Sequence, residues 1–453
     1  MSRENFGSKL GILAAAAGSA VGLGNIWKFP YIVGKNGGAA FILVYLLCIA
    51  LIGIPVMVSE FALGRNAQAN AVEAFKAVEP KKPWYLGGYL AVATAFIILS
   101  FYSIIAGWGF SYFGRAVSGQ LGQVAAGSHG DLFGNLIASG IEPMILSGVV
   151  LALTAGVCIA GVKSGIEKVS KILMPMLVVL LLVLMGKSLT LEGAQKGLDF
   201  LFKPDFSLLS AQGVLEAVGH AFYSLSLGMG IILTYGSYIG KKENLPKLAM
   251  QVTVADTAVA LMAGVVIFPA VFAFGFEPGQ GPGLIFVTLP AVFEKMAFGS
   301  VFAALFFLLV GIAAITSTIS LMEVVVTFSC EQFKWSRVKA TLAVTLGLFA
   351  LSVPSNLSFG IWSDVLIFGK NFFDLFDFIA SNVFLPFGGI LVCLFVGRVW
   401  TIDKALFSIS NEGELAFHWK HLYAFSVKWL APIAIFLIFL SNTGLLDFIK
   451  ALF

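Results

Sequence analysis

The stretch Gly11–Tyr31, GILAAAAGSAVGLGNIWKFPY, decides how this chain is read. It begins as a membrane-spanning helix of small and aliphatic residues, with no charge from Gly11 through Ile26. Gly18, Gly22 and Gly24 then fall inside the apolar run, beside Ser19 and Asn25. Each glycine costs about 1 kcal/mol against alanine in a helix interior. Backbone freed from helical bonding at bilayer depth persists only where it lines a cavity or is buried in protein. A break at mid-membrane therefore points to a binding site. Close helix packing is the competing explanation, since small residues gather wherever membrane helices touch, and this stretch alone leaves both open.

Composition sets the class. Of 453 residues, 59% are hydrophobic and only 11% charged, against about 25% charged in soluble domains. The net charge of +4 carries little meaning in a membrane protein, where placement of charge outweighs its total. Cys48, Cys158, Cys330 and Cys393 lie in or beside apolar runs without metal-ligand spacing and read as small buried hydrophobes, with no disulfide framework. Residues 1–8 are too short and polar for a cleaved signal peptide.

Eleven apolar runs are long enough to span, at roughly 10–33, 39–64, 86–117, 144–161, 166–186, 213–239, 250–275, 299–329, 339–353, 375–398 and 425–447. The ninth is the shortest. No stretch remains for a soluble domain, so the whole chain, 1–453, reads as one all-α membrane domain. With the N-terminus on the cytoplasmic side, the inside segments hold most of the 28 lysines and arginines, as orientation by positive charge requires. Eleven spans then put the C-terminus outside, in a multi-pass protein of the cell membrane.

The sixth run carries a second interruption. Ser224-Leu-Ser226-Leu-Gly228-Met-Gly230 breaks it much as Ser19-Ala-Val-Gly22-Leu-Gly24 breaks the first. Runs one and six are the first members of two five-helix halves, about 9–187 and 210–400, with an extra helix at about 420–449. Paired interruptions in corresponding helices are the best sequence pointer to a transporter's midplane site, and five helices per half make the repeats inverted.

The run GSAVGLGNIWKFPY, followed by KNGGAAF (Lys35–Phe41), GIP (Gly53–Pro55) and EFALGR (Glu60–Arg65), resembles the neurotransmitter:sodium symporter family. So do AFYSLSLGMG in the sixth run and TSTISLME (Thr316–Glu323) in the eighth. The resemblance covers essentially the whole chain and, with eleven spans and short loops, is closest to bacterial carriers of several hydrophobic amino acids. Paired broken helices are a known property of that fold; they belong to the resemblance as much as to the residues.

The resemblance implies two sodium sites. One takes the carbonyls of Gly18, Val21 and Ala313 with the hydroxyls of Thr316 and Ser317. The other takes the Ala20 carbonyl, the Asn25 amide, the Ser224 hydroxyl and a polar group on the seventh helix, for which Asp256 lies within one residue of the expected register. Read without the family, Thr316 and Ser317 equally suit back-bonding to a helix carbonyl. Sodium is the coupling ion; no organic cofactor is implied. The amino-acid site lies between the breaks. Half-helix N-termini and free amides around Gly22, Leu23, Gly24 and Asn25 suit a carboxylate. Monoamine carriers of the family have an aspartate where this chain has Gly22, so here the substrate brings its own carboxylate. The implied walls are Ile98, Tyr102, Tyr223, Ser226, Met229 and Leu321, with Ser224 and Ser317 at the edge. Tyr102 donates to the carboxylate and Tyr223 covers the ligand. Apolar walls with an adaptable methionine favour hydrophobic side chains of several sizes.

Two charge pairs match family gates: Lys28 with Asp377 outside and Arg3 with Glu331 inside. Lysine in place of arginine loses the bidentate fork, so a weaker or water-bridged outer latch is expected. Glu60, deep in the second run, is functional by default as an intramembrane acid; the family reading makes it a prop for the unwound sixth helix. Gly165 and Pro175 flank a charged stretch of the fifth helix, whose inner third can unwind there because proline removes a backbone bond. His220 and Glu323 find no role.

The resulting expectation is sodium-coupled, chloride-independent import of neutral, mainly hydrophobic L-amino acids by alternating access. Transport of one aromatic amino acid alone is the second reading. A channel would need a continuous polar pore, and an enzyme a nucleophile, base or metal set; four histidines in no such constellation supply neither. The partners are substrate, sodium and lipid, with no nucleic acid; oligomeric state is not legible.

Overall fold

The structure, a computed structural model, describes residues 4–125, 127–276 and 283–446. Among them the regular structure is helical, and the one strand-like feature is an isolated bridge between Ile367 and Lys370. Nine of the eleven apolar runs are single helices long and apolar enough to cross a membrane. These are α2 (Ala39–Ala67), α3 (Tyr85–Val117), α4 (Ile141–Ile159), α5 (Val162–Leu189), α7 (Leu245–Ala273), α8 (Gly299–Gln332), α9 (Arg337–Leu357), α10 (Phe372–Ile409) and α11 (Lys420–Asn442). α1 is a bent pair, Lys9–Ala20 and Gly24–Lys35, turning by 47°. α6 is two shorter helices, Ala211–Ser224 and Ile231–Gly236, on either side of a non-helical link.

Hydropathy misplaced several ends. α9 covers 21 residues rather than the short 339–353 run, because Arg337 at its start donates to Glu323 instead of facing lipid. α10 continues past Arg398 to Ile409, since Ile402, Ala405 and Ile409 stay buried. The two longest connections hold short helices, His129–Ala138 and Leu284–Glu294. The second of these carries Phe286, buried against Trp108, Tyr112 and Phe133 and edge-on to Trp27. It roofs one end of the bundle.

At the opposite end the segment before α1 is strapped down. Phe6 lies edge-on to Tyr235 and Tyr238, at 5.7 and 6.0 Å. Two carboxylates then cross between α1 and α5. Glu4 Oε2 accepts from the amide of Val162, the first residue of α5, at 2.6 Å. In return Glu167 of α5 accepts from the Gly7 amide at 2.6 Å and the Ser8 hydroxyl at 2.8 Å, beside the Lys171 ammonium. Ser8 is itself the N-cap of α1. Each helix start thus receives an acid from the other, which satisfies orphan amides and complements the helix dipole. α5 runs helically through Gly165 and Pro175, with wide turns only at Val162–Glu167. The unwinding expected of its inner third is not present in this conformation.

This cross-brace predicts that Glu167→Ala loosens both segments, because charge-assisted hydrogen bonds contribute about 1.5–3 kcal/mol each. Amide exchange should rise by about tenfold or more at residues 4–11 and 162–167 together. Hydrogen-exchange mass spectrometry checks it; a change confined to α5 would contradict the reciprocal bracing.

Candidate substrate and ion site

The two breaks face each other. α1 stops at Ala20, Val21 turns to an extended ψ of 97°, and the next helical residue run begins at Gly24. The backbone freed here finds side chains. The Gly22 amide donates to Asn25 Oδ1 at 3.0 Å and the Leu23 amide to the Tyr102 hydroxyl at 3.0 Å. In α6 the link passes through positive φ at Ser226, Gly228 and Gly230. Gly228 is required there: a Cβ would lie 2.6 Å from the Leu385 carbonyl of α10. Its amide donates to Glu60 Oε1 at 2.7 Å, and Glu60 is fully buried. The breaks touch directly, with Ser226 Oγ donating to the Ser19 carbonyl at 3.1 Å.

A narrow cavity lies between them. Its lining includes Gly22, Gly24, Ile98, Tyr102, Tyr223, Ser224, Ser226, Met229, Ser317 and Leu321. Leu23 is the exception: it lines a separate vestibule of about 220 Å³ on the other side of Tyr223. Tyr223 lines both spaces and is the partition between them. Because Tyr102 accepts from Leu23, its own hydroxyl proton is left for another acceptor. Ser19 and Ile231 also line the cavity and were missed. Ser19 sat in plain view inside the glycine cluster; Ile231 is aimed only by the positive φ of Gly230 before it.

Thr316 Oγ1 stands 3.0 Å from the Ala313 carbonyl, 3.3 Å from that of Ile312 and 3.3 Å from Val21 O across on α1. It back-bonds to its own helix and reaches the α1 break at once. A Cβ on Gly18 would lie 3.6 Å from Thr316 Cβ, which fixes the closeness of the two helices. Ser317 Oγ reaches the Ser19 carbonyl at 3.4 Å. Oxygens of Val21, Ala313 and Thr316 therefore share one small space, which is the hard-oxygen environment a sodium ion takes.

Asp256 is fully buried. Its Oδ1 accepts from Asn25 Nδ2 at 2.7 Å, and Ser224 Oγ lies 3.0 and 2.9 Å from its two oxygens. The Asp256 carbonyl also accepts from Asn25. Asp256 itself, not a neighbour, holds this register, against Asn25 and against Ser224, which lines the cavity. Among the described residues it has no ion pair. A buried carboxylate with only neutral donors is costly, and a bound cation removes that cost.

The outer pair differs from expectation. Lys28 and Asp377 form no ion pair among the described residues; Asp377 accepts from Ser381 at 2.7 Å, and Lys28 Nζ sits 4.1 Å over the Tyr223 ring. The shorter, non-planar lysine head finds an aromatic face on α6 instead of a carboxylate on α10. On the inner side Arg3 lies outside the described residues. Glu331 Oε2 accepts from the amide and side chain of Asn70, both at 2.8 Å. Glu323, without a role in the sequence, is fully buried and paired with Arg337 at 2.6 Å, and Tyr238 donates to it at 2.7 Å.

A narrow cavity at two facing helix breaks, with a buried acid that has no ion pair among the described residues and a hard-oxygen cluster nearby, defines a membrane transporter of the broken-helix type. The sequence signature of the sodium:neurotransmitter symporter family matches residues 3–127 and 140–448, and the chain belongs to that family. It is 41% identical over 441 residues to an uncharacterized sodium-dependent transporter of Bacillus subtilis, covering 97% of this chain and 98% of that one. A counterpart in Haemophilus influenzae is 34% identical over 452 residues, with 97% and 98% covered. The crystal structure of MhsT in complex with L-phenylalanine superposes with a TM-score of 0.90 at 47% identity, covering 97% of this chain and all of that one. These relatives are transporters, and sodium is the coupling ion of the family.

If the two oxygen clusters hold sodium, sodium should raise the melting temperature of the purified wild-type protein, since a ligand of the folded state stabilises by mass action. Thr316→Val, which keeps shape and removes one oxygen, should raise the half-saturating sodium concentration about tenfold, equivalent to about 1.4 kcal/mol. Asp256→Asn should do the same. A sodium titration of thermal unfolding checks this, and unchanged titrations in both variants would contradict the assignment.

Proposed function

We propose that the protein imports neutral, mainly hydrophobic L-amino acids together with sodium, by alternating access and without need of chloride. The observation that carries this reading is the combination of Gly22 with Asp256. Gly22 brings no acid of its own to the cavity, so the carboxylate that meets the Leu23–Asn25 turn is the ligand's, with the Tyr102 hydroxyl 3.0 Å from the Leu23 amide. Ile98, Met229, Ile231 and Leu321 make the rest of the wall apolar, which suits aliphatic and aromatic side chains. That MhsT was crystallised with L-phenylalanine supports the class of ligand.

Charge supports chloride independence. Two sodium ions with a zwitterionic ligand bring about +2 into a water-poor site, where unbalanced charge is penalised. Asp256 supplies a fixed negative charge where animal members of the family use a chloride ion. On one side Tyr223 stands between the cavity and the vestibule and the Phe286 cluster roofs the bundle, while the Phe6 and Glu323–Arg337 contacts lie at the other end. Release then requires the α1–α5 brace to part. The excess of lysine and arginine supports an orientation with that braced end and the N-terminus in the cytoplasm and the C-terminus outside a cell membrane.

Uptake into proteoliposomes tests this. Sodium-dependent transport of leucine or phenylalanine should persist when gluconate replaces chloride, and a competition panel should show several hydrophobic amino acids displacing one another. Transport that vanished without chloride would overturn the charge argument, and displacement by one aromatic amino acid alone would favour the narrower carrier. Gly22→Asp should abolish uptake, because any Cβ there runs into the Ser317 and Tyr102 hydroxyls and a fixed carboxylate repels that of the ligand. Undiminished transport by that variant would refute the placement of the ligand.

A further inference from the structure

The connection between α9 and α10, residues 358–371, carries a row of apolar side chains that no other described element covers. Ile361 is 79% exposed and Phe368 94%, and Trp362, Val365, Leu366 and Ile367 are exposed with them. The segment is nevertheless held in one shape. Gly360 is pressed against the Ala138 carbonyl, where a Cβ would lie 2.3 Å away. The Trp362 amide donates to the Leu357 carbonyl and the Val365 amide to the Trp362 carbonyl, both at 3.0 Å. Ile367 and Lys370 exchange both backbone hydrogen bonds, at 2.8 and 3.1 Å, around a tip of Phe368 and Gly369 in positive φ. The result is a closed knob that pairs much of its own backbone and leaves its side chains bare.

Single apolar side chains are common on protein surfaces, but a contiguous row marks a surface that something covers. Its place in the fold says what. α9 has 21 residues, about 31 Å at 1.5 Å per residue, which matches a hydrocarbon core of about 30 Å. Val338, Leu342 and Leu346 are exposed along it at every fourth position, the stripe by which α9 faces lipid. Ile361 follows the end of α9 by one helical turn's worth of chain, so the row begins where the hydrocarbon ends. Tryptophan gathers at that level of a membrane protein. Here Trp362 packs on Phe372 at 5.8 Å, and the Lys370 ammonium lies 4.9 Å over the Phe378 ring. Backbone paired within itself is also the form that a water-poor boundary admits.

We propose that the knob is a membrane anchor, seated in the boundary between headgroups and acyl chains of the leaflet at the end roofed by Phe286. Its partner is the lipid surface, continuous with the lipid that covers the α9 stripe. The anchor also carries a load. Asn371, the next residue after Lys370, caps the first helix of α10, Phe372–Asp377, by accepting from the Asp374 amide at 2.8 Å. Phe373, Asp374 and Asp377 of that helix line the vestibule. Phe373 packs on Phe101 and Trp108, at 5.5 and 5.9 Å, and Trp108 in turn on Phe286. Lipid therefore holds the α10 wall of the vestibule from outside the bundle, whatever ligand the protein carries.

Spin labelling of the full chain in phosphatidylcholine vesicles tests this without sodium or amino acid. A nitroxide is placed at Phe368→Cys in a Cys330→Ala background, since the other native cysteines are buried. Reference labels sit at Leu346→Cys on the α9 lipid face and at Glu414→Cys in an exposed loop. Oxygen concentrates in lipid and a neutral nickel chelate stays in water, so the ratio of their collision rates reports depth. At position 368 the ratio should exceed that at 414 by about threefold or more, without passing that at 346. Tryptophan quenching gives a second reading on unlabelled protein. Trp362→Phe should remove more of the quenching by lipids brominated near the headgroup than by lipids brominated near the chain end. Replacing Leu366→Ser and Phe368→Ser together should raise amide exchange at residues 372–377 about tenfold, as release of the anchor frees that helix. A label at 368 as open to nickel as that at 414 puts the knob in water, and one shielded from both collision partners puts it under a second copy or another protein. Either result overturns the proposal, as does quenching that Trp362→Phe leaves unchanged; unchanged exchange in the double variant overturns the link to α10.

Discussion

The structure depends on the satisfaction of a few backbone amides where water is scarce. At bilayer depth an unpaired amide costs several kcal/mol, so two helices can be broken side by side only if side chains replace the lost helical bonds. Glu60 does this for Gly228, Asn25 for Gly22 and Tyr102 for Leu23. The three groups come from α2, α1 and α3, and each is itself buried. The site is therefore not a gap left in the bundle. It is a pair of breaks held open by polar props from the surrounding helices, and the props that satisfy the breaks also shape the cavity.

The same economy governs charge. Asp256 sits among neutral donors, whereas the equally buried Glu323 has a guanidinium at 2.6 Å. The contrast separates a structural acid from one that invites an exchangeable cation. A permanent arginine beside Asp256 would cancel the charge for good; neutral donors leave it uncancelled. Coupling in a sodium-driven carrier requires a cost conditional on the ion, because an ion can link to movement only through a state that its absence makes unfavourable.

The two ends of the bundle are closed by different kinds of contact. Aromatic packing around Phe286 roofs one end, and exchanged carboxylates between α1 and α5 strap the other. Aromatic surfaces slide at modest cost, whereas charge-assisted hydrogen bonds part together or hold together. The second closure is therefore the more switch-like. The α5 side of that closure carries wide turns at Val162–Glu167, and Pro175, about two turns further on, denies the Lys171 carbonyl its usual helical donor.

The glycine clusters around Gly22 and Gly228, the apolar lengths and the isolated acids Glu60 and Asp256 were legible in the sequence, because each is a local violation of what a membrane helix tolerates. Such violations stand out without neighbours: a glycine pair or a carboxylate in hydrocarbon is costly wherever the chain goes. What no local pattern carried was which groups repay each violation. That Asp256 and not an adjacent residue meets Asn25, that Glu323 is claimed by Arg337, and that Lys28 turns to the Tyr223 ring instead of to Asp377 are facts of distance between segments far apart in the chain. The sequence determined where the helices must break and where charge must be answered. Only the tertiary structure decided the answering partners, because a hydrogen bond or an ion pair is settled within about 3 Å, and helix packing alone sets distances that fine.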